Sequence, residues 1–374
     1  MESQWNNCKN ILCIRPDNMG DLLMSTPAIR ALKEFTGAKI TVLTSAMAEG
    51  IARHIPEIDE LIVCNLPWVK LANTLGPEHF FDIIREIKSK EFDAAVVFSV
   101  YSQNPLPAVM LAYLAEIPLR LAYCRENPYD LLTHWVPDRE PYSVIKHQVK
   151  RDLDLVATVG AVPSNDKLSL EVSANASITV MLEEAGVDTA LPWIILHAGV
   201  SEKKREYPFD LWVETAQRLI EEFGYQVLLT GGPAEKELTD QLQLAIGERS
   251  FSMGGYFSLI ELVALINKAP LLISVNTGTV HIAAAVNTPV IVLYALTNPQ
   301  HFPWKAVGKV LPYSIPEDLH SKNEVIRYVN QKYFSSTFNM VYPFEIINAA
   351  KDILNDSLDE IPEIHDEWLA ASSD

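Results

Sequence analysis

The segment Arg15-Pro16-Asp17-Asn18-Met19-Gly20-Asp21 follows a short apolar run and precedes Ser25-Thr26-Pro27. A carboxylate such as Asp21, held in a turn beyond a buried strand, can accept a proton from a hydroxyl nucleophile. It can equally do no more than complement a helix N-terminus, and spacing alone favours that second role. Pro27 suits a first helical position with Thr26 or Ser25 as cap, which leaves Asp21 in the turn or in a short leading helix. The loop holds a single Gly and no G-x-G-x-x-G, so a dinucleotide fingerprint is absent.

Two further segments could handle phosphate. Lys203-Lys204-Arg205, inside Ser201-Glu202-Lys203-Lys204-Arg205-Glu206-Tyr207-Pro208, puts three successive cations before a helix. Such a group can clamp a diphosphate and neutralise a leaving group, or form a solvated loop; its place after a strand leaves the two readings level. In Ser274-Val275-Asn276-Thr277-Gly278-Thr279-Val280-His281 a strand ends, small residues permit close approach, and an Ala-rich helix begins. The free N–H groups and dipole of that helix favour a phosphate placed there. His281, in its first turn, can donate to the phosphate or satisfy a core partner. Glu235, in Thr230-Gly231-Gly232-Pro233-Ala234-Glu235, can bind ribose hydroxyls or simply start a helix. Asp152-Leu153-Asp154 matches the Asp-x-Asp of metal-dependent sugar transferases, but Val149, Leu153, Leu155 and Val156 repeat at near-helical spacing. That places the two acids on a helix face instead of a metal-binding loop.

The elements that position these segments are legible as short apolar runs alternating with helical stretches. Residues 11–14, 39–43, 60–63 and 94–98 read as buried strands, each followed by a helix candidate. Runs without polar alternation belong to parallel strands covered on both faces, and alternation with helices makes the sheet doubly wound. After a less regular stretch, 162–191, the pattern restarts with strands at 193–197, 226–230, 271–275 and 290–294 and a helix at 209–223. The expected fold class is α/β, two Rossmann-like domains facing across a cleft, with chemistry in the turns at the strands' carboxyl ends. The expected domains are residues 1–165, residues 166–354, and an acidic, solvated tail at 355–374 that carries seven Asp or Glu and no Lys or Arg.

A chain of 374 residues with 48% hydrophobic and 21% charged residues folds as an ordinary globular protein. Its 30 basic and 48 acidic residues give a net charge of −18, which argues against nucleic acid as a partner. Any anionic ligand must therefore meet a local basic cluster. The four cysteines, Cys8, Cys13, Cys64 and Cys124, have neither disulfide-scaffold nor zinc spacing, so no metal is expected and a reducing compartment fits. Residues 1–10 lack a signal-peptide pattern and no apolar run approaches a membrane span, so a cytoplasmic location is expected.

Taken together, these segments resemble glycosyltransferase family 9, the heptosyltransferases of lipopolysaccharide core assembly. Residues 11–34 (ILCIRPDNMGDLLMSTPAIRALKE) resemble that family's opening strand, Gly-Asp turn and Thr-Pro-Ala helix. Residues 271–294 (LLISVNTGTVHIAAAVNTPVIVLY) resemble its donor-nucleotide segment, and residues 147–160 resemble its long helix before the linker. The ordered set, spanning residues 10 to about 305, is more specific than any one of its parts.

The resemblance implies a GT-B architecture with an N-terminal acceptor domain and a C-terminal donor domain. It implies a metal-independent inverting transferase without a cofactor, using a nucleoside-diphosphate sugar as co-substrate and a glycan or glycolipid as acceptor. Such an acceptor is compatible with peripheral contact at the inner membrane face. Asp21 then falls on the catalytic base. Lys204 or Arg205 stabilises the phosphates, Thr277, Gly278 and Thr279 hold them through backbone amides, and Glu235 meets the ribose. Two positions depart from the pattern. Asn276 stands where the family usually has Asp, and the family's Lys-x-Trp-Pro reads Arg205-Glu206-Tyr207-Pro208, so Arg205 takes the phosphate-binding lysine's position unless Lys204 reaches in. Both changes point towards a donor other than ADP-heptose. The alternatives are a nucleotide-sugar epimerase and a degenerate transferase that only binds a nucleotide or a partner protein.

Overall fold

The computed structural model describes residues 4–69, 76–173, 177–333, 338–355 and 360–363. It divides into two compact units, Met1–Glu171 and Val172–Asp374. The chain stays on the first unit past residue 165. Arg30 Nη1 donates to Asn165 O at 2.9 Å and to Lys167 O at 2.9 Å. Glu171 N then donates to His54 O at 2.8 Å.

In the first unit, β1 (Asn10–Ile14), β2 (Lys39–Thr44), β3 (Glu60–Val63), β4 (Ala94–Val97), β5 (Leu119–Cys124) and β6 (His134–Pro137) form one sheet in the order β3-β2-β1-β4-β5-β6. Every pairing is parallel. The helices are α1 (Met19–Thr36), α2 (Ala46–Ala52), α3 (Pro77–Ser89), α4 (Leu106–Leu114) and α5 (Gln148–Ala157). Central strand β1 is buried from Ile11 to Ile14 because helices cover both faces, which is why its sequence shows no alternation. On one face Leu12, Ile14 and Val97 pack with Ile83 and Ile87 of α3 and Val109 of α4.

Pro27 does not begin a helix. It lies inside α1, whose N-cap is Asn18, so Asp21 sits in the first turn of one continuous helix. Pro27 has no N–H to offer the carbonyl of Leu23. The Thr26 hydroxyl makes up the loss by donating to Leu23 O at 2.7 Å.

The second unit repeats the design with α6 (Ile178–Glu184), β7 (Trp193–His197), α7 (Phe209–Phe223), β8 (Gln226–Gly231), α8 (Lys236–Ile246), β9 (Ser250–Gly254), α9 (Leu259–Lys268), β10 (Leu272–Val275), α10 (Gly278–Ala285), β11 (Val290–Ala295), β12 (Gly308–Tyr313), α11 (Glu324–Tyr333) and α12 (Pro343–Leu354). Its sheet is also parallel, in the order β12-β11-β10-β7-β8-β9. All eight strands read from apolar runs are present. The four that the runs did not reveal, β5, β6, β9 and β12, lie towards the sheet edges and are partly exposed, so polar residues interrupt them. Helix α6 lies in the stretch that reads as irregular.

The acidic tail is not solvated throughout. Glu360 pairs with Val307 in an antiparallel bridge, Ile361 N donates to Ala306 O at 2.8 Å, and the Ile361 side chain is buried. Tail residues 356–359 and 364–374 lie outside the described residues. Among the described residues no helix is long and apolar enough to cross a membrane.

Candidate active site

Asp21 follows β1 at the carboxyl edge of the first sheet. Its Oδ2 accepts the N–H of Asn18 at 3.2 Å, so the helix-capping role is realised. Its Oδ1 also lies 3.2 Å from Nη2 of Arg15, whose side chain is fully buried while that of Asp21 stays 13% exposed. One oxygen is thus spent on the helix, and the guanidinium orients the other. Arg15 Nε sits 3.3 Å from Asp17 Oδ2, and Gln103 Nε2 donates to Asp17 Oδ1 at 2.7 Å. Burial pushes the Asp17 carboxyl up against the opposing pull of Arg15.

The Asp-x-Asp segment lies on α5 as its periodicity requires. Its two carboxylates are used differently. Asp152 is buried, accepts from Ser25 Oγ at 2.7 Å and from Gln148 Nε2 at 2.8 Å, and is pushed by burial to a pKa of about 6. Asp154 pairs with Lys146 at 2.7 Å and Lys150 at 3.0 Å. Among the described residues no group of three or more His, Cys, Asp or Glu is placed to hold a metal ion. The four cysteines are buried free thiols.

In the second unit the three remaining candidate segments leave three adjacent strands, β10, β7 and β8, at the same carboxyl edge. Lys203–Arg205 forms a short 3₁₀ turn after β7. Arg205 Nη1 donates to the backbone carbonyl of Asn276 at 3.0 Å, which ties the cationic loop to the start of α10. Arg205 Nε is buried with no hydrogen-bond partner among the described residues. The three cations are not equivalent: Lys203 is exposed, and Lys204 and Arg205 share the carboxylate of Glu202 at 3.3 and 3.2 Å.

Thr277 caps α10 from an extended conformation, and its Oγ1 lies 2.8 Å from that of Thr279. Thr277 N donates to Val275 O at 2.8 Å and Val280 N to Thr277 O at 3.3 Å, which leaves the N–H groups of Gly278 and Thr279 as the donors this helix start offers to an anion. His281 is buried one turn in. The Asn276 side chain reaches across to β11, accepting from Ala295 N at 3.2 Å and donating Nδ2 to Ala295 O at 3.3 Å. A carboxylate could make only the first of these bonds.

Glu235 turns back over the sheet edge, where Gly232 N donates to its Oε2 at 2.7 Å. The approach requires Gly199, because a Cβ there would lie 1.9 Å from Glu235 Oε1. Beneath it, His197 Nδ1 lies 3.0 Å from Thr230 Oγ1, and burial lowers the imidazole's proton affinity. Arg15, Asp17, Gln103 and Glu202 complete these clusters without having been singled out in the sequence. Arg15 and Asp17 flank the Gly-Asp turn and Glu202 precedes the cation run, but nothing local marks Gln103.

Two doubly wound parallel sheets in successive units, with the candidate residues at their carboxyl edges, are the elements of a GT-B fold. The structure matches a family 9 glycosyl transferase of Veillonella parvula with a TM-score of 0.75 at 19% identity, covering 96% of this chain and 100% of the other. It matches Escherichia coli ADP-heptose lipopolysaccharide heptosyltransferase II with a TM-score of 0.70 at 21% identity, covering 93% and 99%. In sequence, lipooligosaccharide heptosyltransferase 2 of Haemophilus influenzae is 27% identical over 79% of this chain and 85% of its own length. The model of glycosyltransferase family 9 (heptosyltransferase) matches residues 80–328, and the chain belongs to that family.

Proposed function

We propose that the protein is an inverting, metal-independent glycosyltransferase that moves heptose or a related sugar from a nucleoside-diphosphate sugar to a hydroxyl of a glycan or glycolipid acceptor. The observation that carries the reading is the bond from Arg205 Nη1 to Asn276 O, which fixes a guanidinium beside the N-terminus of α10. A cation and unpaired backbone donors at one point suit a diphosphate. In the reaction Asp21 takes the acceptor hydroxyl's proton, the oxygen bonds to the anomeric carbon from the face opposite the leaving group, and the bond to the diphosphate oxygen breaks. Arg205 and Lys204 balance the charge that gathers on the departing diphosphate. The amides of Gly278 and Thr279 hold it, the expected third amide, Thr277 N, being engaged by Val275 O at 2.8 Å, with His281 as a further donor, and Glu235 accepts from the ribose hydroxyls. No cofactor enters, and the reaction belongs on the cytoplasmic side of a membrane whose surface presents the acceptor.

The test incubates the protein with ADP-heptose and with other nucleoside-diphosphate sugars, with and without a core glycolipid acceptor. Mass spectrometry should find an acceptor heavier by one sugar, and NMR should find the anomeric configuration inverted. Conversion of the donor to an isomer without acceptor would overturn the reading in favour of an epimerase. Donor binding without turnover on any acceptor would overturn it in favour of a binding protein.

A further inference from the structure

The first unit contains a cavity of about 770 Å³ that no step of the proposed reaction uses. A space of this size, open to the surface on one side, falls within the roughly 300–1,000 Å³ of ligand pockets. Its walls come from the loop after β3, with Leu66 and Trp68, from the first turn of α3, with His79 and Phe80, and from α4, with Leu106 and Met110. Trp68 and Phe80 meet edge to face with ring centroids 5.9 Å apart, which fixes one wall. The lining, with Leu66, Trp68, Phe80, Leu106 and Met110, is mostly apolar and suits a flexible hydrocarbon chain. It does not suit a sugar ring, whose hydroxyls would be stranded there.

The cavity is joined to the Asp21 cluster. Its lining includes Asn104, and the preceding residue, Gln103, donates to Asp17, which shares Arg15 with Asp21. The loops after β3 and β4 that wall the cavity leave the same carboxyl edge as the loop from β1 into α1, whose first turn holds Asp21. From this continuity we infer that the cavity is an apolar subsite for the acyl chain of the acceptor, seating the lipid end of the molecule whose hydroxyl is offered to Asp21. The inference rests on the transferase reading, and it narrows the acceptor from a free glycan to a glycolipid.

The experiment uses the full chain and a dodecyl glycoside carrying bromine on its alkyl chain, below its micelle concentration, because bromine quenches tryptophan on contact. Saturable quenching is expected in the wild type, with most of it lost in Trp68→Phe. Met110→Glu, which charges the wall, and Leu106→Phe, which fills the space, should each weaken binding at least about tenfold, with thermal melts and donor titration reporting that both fold. In transfer assays the same two variants should raise KM for an acylated acceptor at least about tenfold and leave turnover of its deacylated counterpart unchanged. Equal binding of dodecyl and methyl glycosides, or quenching that survives Trp68→Phe, would overturn the subsite. So would quenching by brominated phospholipid vesicles without quenching by the soluble glycoside, which would make this face a membrane contact. If the dodecyl chain binds as expected and no acceptor is glycosylated, the subsite stands and the transferase reading falls. If transfer proceeds without chain-length dependence, the reverse holds.

Discussion

Arg15 Nη2 stands 3.2 Å from Asp21 Oδ1, and the same guanidinium reaches Asp17 at 3.3 Å from a fully buried position beneath the turn. One cation thus fixes two carboxylates at the end of the first strand. Both carboxylates are 13% exposed, and Asp21 stands in the first turn of α1. Asp21→Asn should preserve the capping geometry and the donor affinity while lowering turnover by about 10²- to 10⁴-fold, the usual contribution of a general base. Single-turnover kinetics beside donor calorimetry checks both halves, and near wild-type turnover would remove Asp21 from the mechanism.

Asp152 gives a stability signature. Burial raises its pKa from 3.8 to about 6, so between those values the folded chain holds a proton that the unfolded chain has lost. Stability from this group is full below the lower value and is lost as pH rises through the higher one. Compared with Asp152→Asn, which does not titrate, the wild type should lose about 3 kcal/mol of relative stability across that window. Paired urea titrations from pH 3.5 to 7 would read it. A flat difference, or a wild type that gains as pH rises, would contradict the assignment.

The donor cations should separate on mutation. Arg205 touches Asn276 O as well as Glu202, whereas Lys204 reaches only Glu202 among the ion pairs and bonds found for it. Arg205→Ala should weaken nucleoside-diphosphate binding by about 10- to 100-fold, the worth of one or two charge-assisted bonds. Lys204→Ala should cost less. A double variant that bound donor like the wild type in calorimetry would reduce the cluster to a solvated loop.

Asn276→Asp, which introduces the acid that the family resemblance implies here, should harm this chain. The new carboxylate keeps the bond from Ala295 N but faces the carbonyl of Ala295 with no proton to offer. Leaving that contact unmade costs about 1–3 kcal/mol, and the carbonyl that holds Arg205 belongs to the same residue. A lower Tm and weaker donor binding are expected. Tighter binding of ADP-heptose by the variant would mean that the amide is a change of donor preference and not a clamp.

Transfer should persist in EDTA. In the proposed mechanism the charge neutralisation that a metal supplies elsewhere falls to Arg205 and Lys204, and the carboxylates of Asp152 and Asp154 are committed to different partners. Loss of activity in chelator with recovery on adding magnesium or manganese would refute this.

The sequence by itself determined the two doubly wound sheets and the four turns that hold the candidate residues. Burial on both faces writes a central parallel strand as an uninterrupted apolar run, and helix starts carry local signatures such as Asn18 with Gly20-Asp21 at the start of α1 and Asn276-Thr277-Gly278 at the start of α10. Edge strands such as β6, with alternate residues exposed, leave no such trace. Tertiary structure alone decided which side chains meet. Gln103 finds Asp17 across 86 residues, Ser25 finds Asp152 across 127, and Arg205 finds Asn276 across 71. It also placed Pro27 inside α1, where the hydroxyl of Thr26 covers the carbonyl the ring abandons. Local propensity is written in neighbouring residues, but a hydrogen bond between distant segments depends on strand order and loop path, which no short stretch of sequence encodes.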